Sequence, residues 1–308
     1  MQWVQRESLD KFYDNLREYK ISVLVAPTSY GKTAFSPMLL ERSREDNLAY
    51  GLIHVVPFRA LVREIFLEKF ERARNKFTVG YQSMDTIGEG VDKSPFFLRE
   101  LVATTLDSYA WNAFGIPVAE FDKIVNDVSL GHGYVAGMSI YTSANVFDEA
   151  HIFIGSSSEK AVFTMVQASI GFLSRMGVPT AIETATMPSV KLKLLKEVID
   201  EKPLPLVYVC RSKDCGNSYQ AKKYREVLGQ YFYPTSDRDW YDFNAFDWRT
   251  HLVKEVEALK VAMNMCMSGS LLMIRNTIKD AIEAYKKLKE ICPQTILLHG
   301  WIGAKDRE

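Results

Sequence analysis

Residues Ala26 to Thr33 read APTSYGKT, directly after an apolar run rich in β-branched side chains. A small residue, a turn and then Gly-Lys-Thr is the pattern by which a loop curls backbone N–H groups around the β- and γ-phosphates of a nucleotide such as ATP. The positive end of the following helix adds to that field. In such a loop Gly31 lets the backbone pass close to phosphate oxygens, Lys32 bridges the β- and γ-phosphates, and the Thr33 hydroxyl ligates magnesium. The whole stretch Ala26, Pro27, Thr28, Ser29, Tyr30, Gly31, Lys32 and Thr33 is therefore the candidate nucleotide loop. Downstream, VFDEAH puts Asp148 and Glu149 at the end of a second apolar run, where α/β sheets present ligand groups. Asp148 would hold magnesium and Glu149 would orient and deprotonate an attacking water. A third segment, Thr184-Ala185-Thr186, again follows an apolar run, so that Thr184 and Thr186 can hydrogen-bond His151 or the two acids. Each segment alone has a plain alternative: a chance turn, a solvated acidic turn, an ordinary strand end. Their order within one chain argues against chance.

Positioning these groups calls for a parallel α/β sheet, because short apolar segments alternate with helical patterns. ISVLVAP (21–27), LAYGLIHVVP (48–57), ANVFDEAH (144–151), TAIETATMP (180–188) and SLLMIRNT (270–277) read as strands. FRALVREIFLEKFERARNKF and SEKAVFTMVQASIGFLSRM carry helical periodicity. Pro37 requires the helix after the loop to start late or to kink. The stretch Lys202 to Arg249 breaks the alternation and is read as a linker into a second domain. The expected division is 1–203 for the first domain and 204–308 for the linker plus a second, incomplete one. That second part offers only strands at 270–275 and in QTILLHG around one helix, too little to bury a sheet of its own.

APTSYGKT, VFDEAH and ETATMP, in this order, resemble motifs I, II and III of superfamily 2 helicases. More narrowly, the chain resembles the helicase component of the CRISPR-associated helicase-nuclease of type I interference systems. VVPFRALV stands at the position of motif Ia, VATTLDSYAW at that of motif Ib, and LLMIRNTIKDAIEAYKKL is similar to the motif IV region. The last segment, LLHGWIGAKDRE, is similar to the family's second-domain "LLH…DR" segment. The resemblance implies a RecA-like P-loop NTPase domain followed by the start of a second RecA-like domain, acting as an ATP-dependent helicase or translocase on single-stranded DNA. It implies adenine reading by Gln5, through an amide that can pair with both N6 and N7; an exposed helix-start glutamine is the alternative. It implies DNA-backbone contacts from Arg59, Thr104 and Thr105, and from Asn276 and Thr277 in the second domain; Arg59 could equally be a solvated cation. Ser29 departs from the family by standing where a second glycine is frequent, which implies a stiffer loop. No His-Asp dipeptide occurs among the five histidines. An HD nuclease would then be a separate subunit, working with an RNA-guided surveillance complex. Motifs V and VI, with the arginine finger, are expected beyond Glu308. Because such a finger is worth roughly 10³ to 10⁵ in rate, ATP binding with slow hydrolysis is the expectation.

Formal net charge is zero, with 38 basic and 38 acidic residues, so any track for a nucleic acid must be local. The amphipathic N-terminus lacks the apolar core of a signal peptide, and no apolar run reaches bilayer length. Four spread cysteines suggest reduced structural thiols, not a disulfide framework. Cys266 and Cys292 are too far apart in sequence for paired zinc ligands. The expectation is a cytoplasmic protein. Two other readings stay open: a nucleotide-gated DNA-binding module that does not unwind by itself, and an unrelated phosphate-loop enzyme such as a small-molecule kinase, which would have no need of the Ia, Ib and IV segments.

Overall fold

The computed structural model describes residues 6–154, 160–210, 215–237, 255–266 and 271–298. They fall into two compact units, Met1–Ala245 and Phe246–Glu308.

Unit 1 is built on a sheet that, among the described residues, has eight strands in the order β3-β4-β2-β5-β6-β1-β7-β8, every pair parallel. The strands are β1 (Ile21–Val25), β2 (Gly51–Val56), β3 (Val79–Gln82), β4 (Leu101–Thr105), β5 (Ser143–Phe147), β6 (Thr180–Thr184), β7 (Leu206–Val209) and β8 (Phe232–Thr235). Strands buried on both faces read as continuous apolar runs, and β1, β2, β5 and β6 are buried along their whole length. Side chains alternate between two cores. Leu24, Leu52, Val146 and Ala181 meet α1 (Glu7–Tyr19) and α2 (Lys32–Glu45) on one face. Val23, Ile53, Phe147 and Ile182 meet α3 (Leu106–Ala113), α4 (Lys160–Met176) and α5 (Ser189–Val198) on the other.

Because all strands run the same way, the carboxyl ends of β1, β5 and β6 share one sheet edge. The nucleotide loop, the Asp148-Glu149 pair and Thr184 are therefore set side by side there, which is where open α/β sheets bind ligands.

Helix α2 begins at Lys32 and runs through Pro37 to Glu45 without a late start. The proline falls one turn after Thr33, whose carbonyl simply lacks that N–H partner. The sheet does not stop near residue 203: β7 pairs with β1 and β8 with β7, and a helix, Tyr219–Leu228, packs between them in sequence. The polar and aromatic composition of 202–249 masked two short strands, the outer one carrying Pro234 where an edge strand tolerates it.

Unit 2 contains the helices Glu255–Cys266 and Ile278–Ile291. The segments 271–275 and 295–298, read as strands from sequence, form no strand among the described residues. Their Leu272, Ile274, Ile296 and Leu298 are exposed. The cysteines also correct the reduced-thiol reading: Cys266 and Cys292, at the ends of the two helices, are joined by a disulfide, their Cα atoms 6.6 Å apart. No described helix is long and apolar enough to cross a membrane.

Candidate active site

The nucleotide loop leaves β1 under control from its neighbours. Ala26 N–H donates to Thr184 O at 3.0 Å, so the first loop residue is tied to the end of β6. Pro27 is half-buried, Thr28 and Ser29 are exposed, and Tyr30 is buried. Two residues take positive φ: Ser29 at 61° and Gly31 at 103°, the second being the N-cap of α2. Glycine is at home there, whereas a serine at that φ carries strain of about 1–2 kcal/mol. The family's missing glycine thus falls on a position that wants one.

Tyr30 is pinned from three directions. Its hydroxyl lies against Ser8 Oγ of α1, and both hydroxyls donate to Asp237 just beyond β8, Ser8 Oγ at 2.7 Å from Oδ2. The Arg6 guanidinium lies 4.3 Å from the Tyr30 ring centre and donates to the Tyr30 carbonyl. Burial, then the hydrogen bond to Asp237, push the Tyr30 phenol far above its usual range. Gln5, the expected adenine reader, lies outside the described residues.

Lys32 is buried, and its ammonium donates to Ala26 O at 3.0 Å and Pro27 O at 3.2 Å. Thr33 Oγ1 donates to Asp148 Oδ2 at 3.2 Å, joining the loop to the end of β5. Asp148 is held tightly. Its Oδ1 accepts from Glu149 N–H at 2.8 Å, its own N–H reaches Val55 O at 2.9 Å, and His54 Nε2 lies 3.3 Å from Oδ2. Burial works against the Asp148 charge. The bond from His54 and the nearby Lys32 ammonium outweigh it and hold the carboxyl below the usual range.

Glu149 sits at φ 51°, ψ 39°, a left-handed conformation for a non-glycine residue. Strain of this kind gathers at functional sites. Its Oε2 is buried and makes no hydrogen bond, although His151 Nδ1 is 3.2 Å away. That ring nitrogen bonds Thr184 Oγ1 instead, at 2.8 Å. Thr184 Oγ1 in turn donates to Thr186 O at 2.9 Å, so the ring must be the donor in the His151 contact. The expected link between the second and third segments is present as this His151–Thr184–Thr186 chain.

Thr33 Oγ1 and Asp148 Oδ2, 3.2 Å apart, are oxygen donors of the kind magnesium takes. The residues therefore fit the ion that the loop pattern implies.

The expected DNA contacts are placed less openly. Arg59 is about half exposed, with Nη1 3.7 Å from Asp85 and Nη2 2.7 Å from Met84 Sδ. Thr104 is fully buried and donates to Gln82 O at 2.9 Å, while Thr105 caps α3 by accepting from Ser108 N–H. In unit 2, Asn276 is exposed, and Thr277 caps the helix Ile278–Ile291 by accepting from Asp280 N–H at 3.1 Å.

Two residues of the site escaped the sequence reading. His54 lies in the middle of β2, and Glu183 lies on β6 paired with Leu24 of β1. Glu183 is fully buried, and neither carboxyl oxygen has a hydrogen-bond partner. Burial, reinforced by the Asp148 charge, keeps its carboxyl protonated well above the ordinary glutamate range. The available signal was a polar residue interrupting an otherwise apolar strand.

No protein-family model and no curated protein matches this sequence. Among solved structures, the chain is similar to the DUF1998 helicase MrfA, at 12% identity and a TM-score of 0.54, over 94% of this chain and 39% of that one. It is also similar to T. fusca Cas3 with ATP, at 14% identity and a TM-score of 0.47, over 65% of this chain and 23% of that one. A third similar structure is the Sulfolobus solfataricus SWI2/SNF2 ATPase core in complex with dsDNA, at 13% identity and a TM-score of 0.43, over 94% and 58% of the two chains. This chain thus spans well under two thirds of MrfA and of Cas3. What the likeness shows is the fold: unit 1 is a RecA-like α/β domain on a parallel sheet.

Proposed function

We propose that this chain is an ATP-binding and ATP-hydrolysing motor segment of a superfamily 2 DNA helicase or translocase. The observation that carries it is the Thr33–Asp148 contact at 3.2 Å, which joins a Gly-Lys-Thr loop to an Asp-Glu strand end across one edge of a parallel sheet. Lys32 is already aimed into the loop and would exchange its two carbonyl partners for β- and γ-phosphate oxygens. Thr33 and Asp148 would hold magnesium, which when bound neutralises charge on the phosphates. Glu149, with its free buried oxygen, would orient and deprotonate the attacking water. Thr184, bonded to His151, would relay a change at the acids to the domain edge.

The finer reading is a motor of a CRISPR type I interference system, moving single-stranded DNA for a separate HD nuclease and an RNA-guided surveillance complex. The order of the sequence motifs and the second-domain segments supports it. Arg59, at the exposed start of a helix, is the described side chain best placed for a phosphate. Thr104 and Thr105 are buried at the end of β4 with their hydroxyls used internally, so they would act on a DNA strand only by shaping the surface it meets.

The test is magnesium-dependent ATP turnover with and without single-stranded DNA, beside Lys32→Ala and Glu149→Gln. The reading expects nucleotide binding that Lys32→Ala abolishes, and turnover that Glu149→Gln lowers at least about 100-fold while binding is kept. Wild-type protein that binds no ATP would overturn it. Turnover indifferent to DNA would remove the nucleic-acid half alone.

A further inference from the structure

Beneath the loop runs a buried chain of contacts that this chemistry leaves unused. His54 is fully buried in β2 between Ile53 and Val55, with its ring edge-on to Phe70 at 6.1 Å between centres. Its Nδ1 lies 2.9 Å from Ser36 Oγ of α2, and its Nε2 lies 3.3 Å from Asp148 Oδ2. A carboxylate can only accept, so a proton sits on Nε2, and in the neutral ring the Ser36 hydroxyl then donates to Nδ1. Ser36, one turn beyond Lys32, thereby sets the tautomer that His54 needs.

We propose that Ser36 and His54 are positioning residues, which lock the Asp148 carboxylate in the orientation that receives a divalent cation. The inference rests on the reading of Asp148 as a cation ligand. Oδ2 of Asp148 has two side-chain donors, Thr33 and His54. The Thr33 bond is the one given up when that hydroxyl turns to a cation, so His54 alone then keeps Oδ2 in place. The backbone N–H of Glu149 fixes only the other oxygen. Without His54 the carboxylate would be held through Oδ1 alone and would turn more readily about its Cβ–Cγ bond, meeting the cation at poorer angles. Partners that orient a ligating carboxylate are typically worth about 10 to 100-fold in metal affinity. A histidine present only to fill space between β2 and Phe70 would not affect that affinity, and phenylalanine would replace it.

The experiment uses the full chain, manganese as the spin-visible probe and a non-hydrolysable ATP analogue, with free ion followed by electron paramagnetic resonance. His54→Phe fills the space without a donor, His54→Gln restores an N–H, and Ser36→Ala removes the group that sets the tautomer. His54→Phe is expected to weaken manganese binding about 10 to 100-fold. His54→Gln should recover most of that loss, and Ser36→Ala should fall between. In turnover, the metal concentration at half-maximal rate should rise while kcat at saturating metal stays within a few-fold. Equal manganese affinity in wild type and His54→Phe overturns the inference while leaving the nucleotide reading intact. If His54→Phe does not fold, manganese affinity in Ser36→Ala equal to that of the wild type overturns it as well. A wild type that takes up no manganese-nucleotide, or a Lys32→Ala variant that takes it up equally, removes the nucleotide reading and this inference together.

Discussion

Both oxygens of Glu183 are buried without a partner beside a site that already holds two acids, and the group is neutral for that reason. Its folded-state pKa lies above its unfolded one, so its contribution to stability is complete below the ordinary glutamate range. That contribution drains away as pH rises through the raised value. Glu183→Gln keeps the shape and cannot ionise. The gap in unfolding free energy between variant and wild type should therefore widen in the variant's favour from pH 5 to pH 8, as read by urea unfolding. Parallel curves would mean that Glu183 is charged and has a partner. Ser29, at φ 61°, gives a second residue-scale expectation. Ser29→Gly removes strain but adds chain entropy, so it should be neutral to stabilising by about 1 kcal/mol, measured in the same unfolding assay. Lys32, Thr33, Asp148, Glu149, His151 and Thr184 could be found from sequence because their chemistry fixes their types and their order. His54 and Glu183 could not, since their meaning comes from strands that meet only after folding: His54 lies opposite Val146 and Glu183 opposite Leu24.

At the scale of elements, Tyr30 of the nucleotide loop and Ser8 of α1 converge on Asp237, which ties both to the segment after β8. Tyr30→Phe keeps the ring and deletes the hydroxyl, leaving Asp237 with Ser8 as its side-chain donor. A buried carboxylate that loses a donor costs about 1–3 kcal/mol, and differential scanning calorimetry should show that loss. No change in melting would mean that water replaces the hydroxyl. The elements themselves were legible where β-branched runs stand between helical patterns, as in β1, β2, β5 and β6. They were illegible in β3 and β4, where VGYQ and LVATT are too short to show a period. They were misassigned in β7 and β8, where neighbouring aromatics and acids suggested a linker. The stretch 58–77 reads as one helix from sequence, but it is a short α-helix (Arg59–Glu64) continued by a π-helix (Ile65–Phe70) and a 3₁₀ turn (Glu71–Ala73).

For the molecule as a whole, the two units rest on different supports. Unit 1 has a double-faced sheet, whereas unit 2 has two helices stapled by Cys266–Cys292 across 26 residues of chain. Loop-closure entropy gives such a cross-link about 3 to 4 kcal/mol. Reductant should therefore speed amide exchange in 255–298 and leave the central strands β2, β5 and β6 of unit 1 unchanged, as followed by hydrogen exchange. Reactive thiols at Cys266 and Cys292 in the unreduced native protein would remove the cross-link from the account. The sheet order has a further consequence, one of timing during synthesis. Strand β1, which carries the nucleotide loop, lies between β6 and β7, so Ile21 waits for Thr180 and Val23 for Leu206 before either can pair. Pairings of such long range form late and slowly. A ribosome has to deliver most of unit 1 before the loop acquires its walls, and until then the exposed apolar β1 is a segment for chaperones to guard.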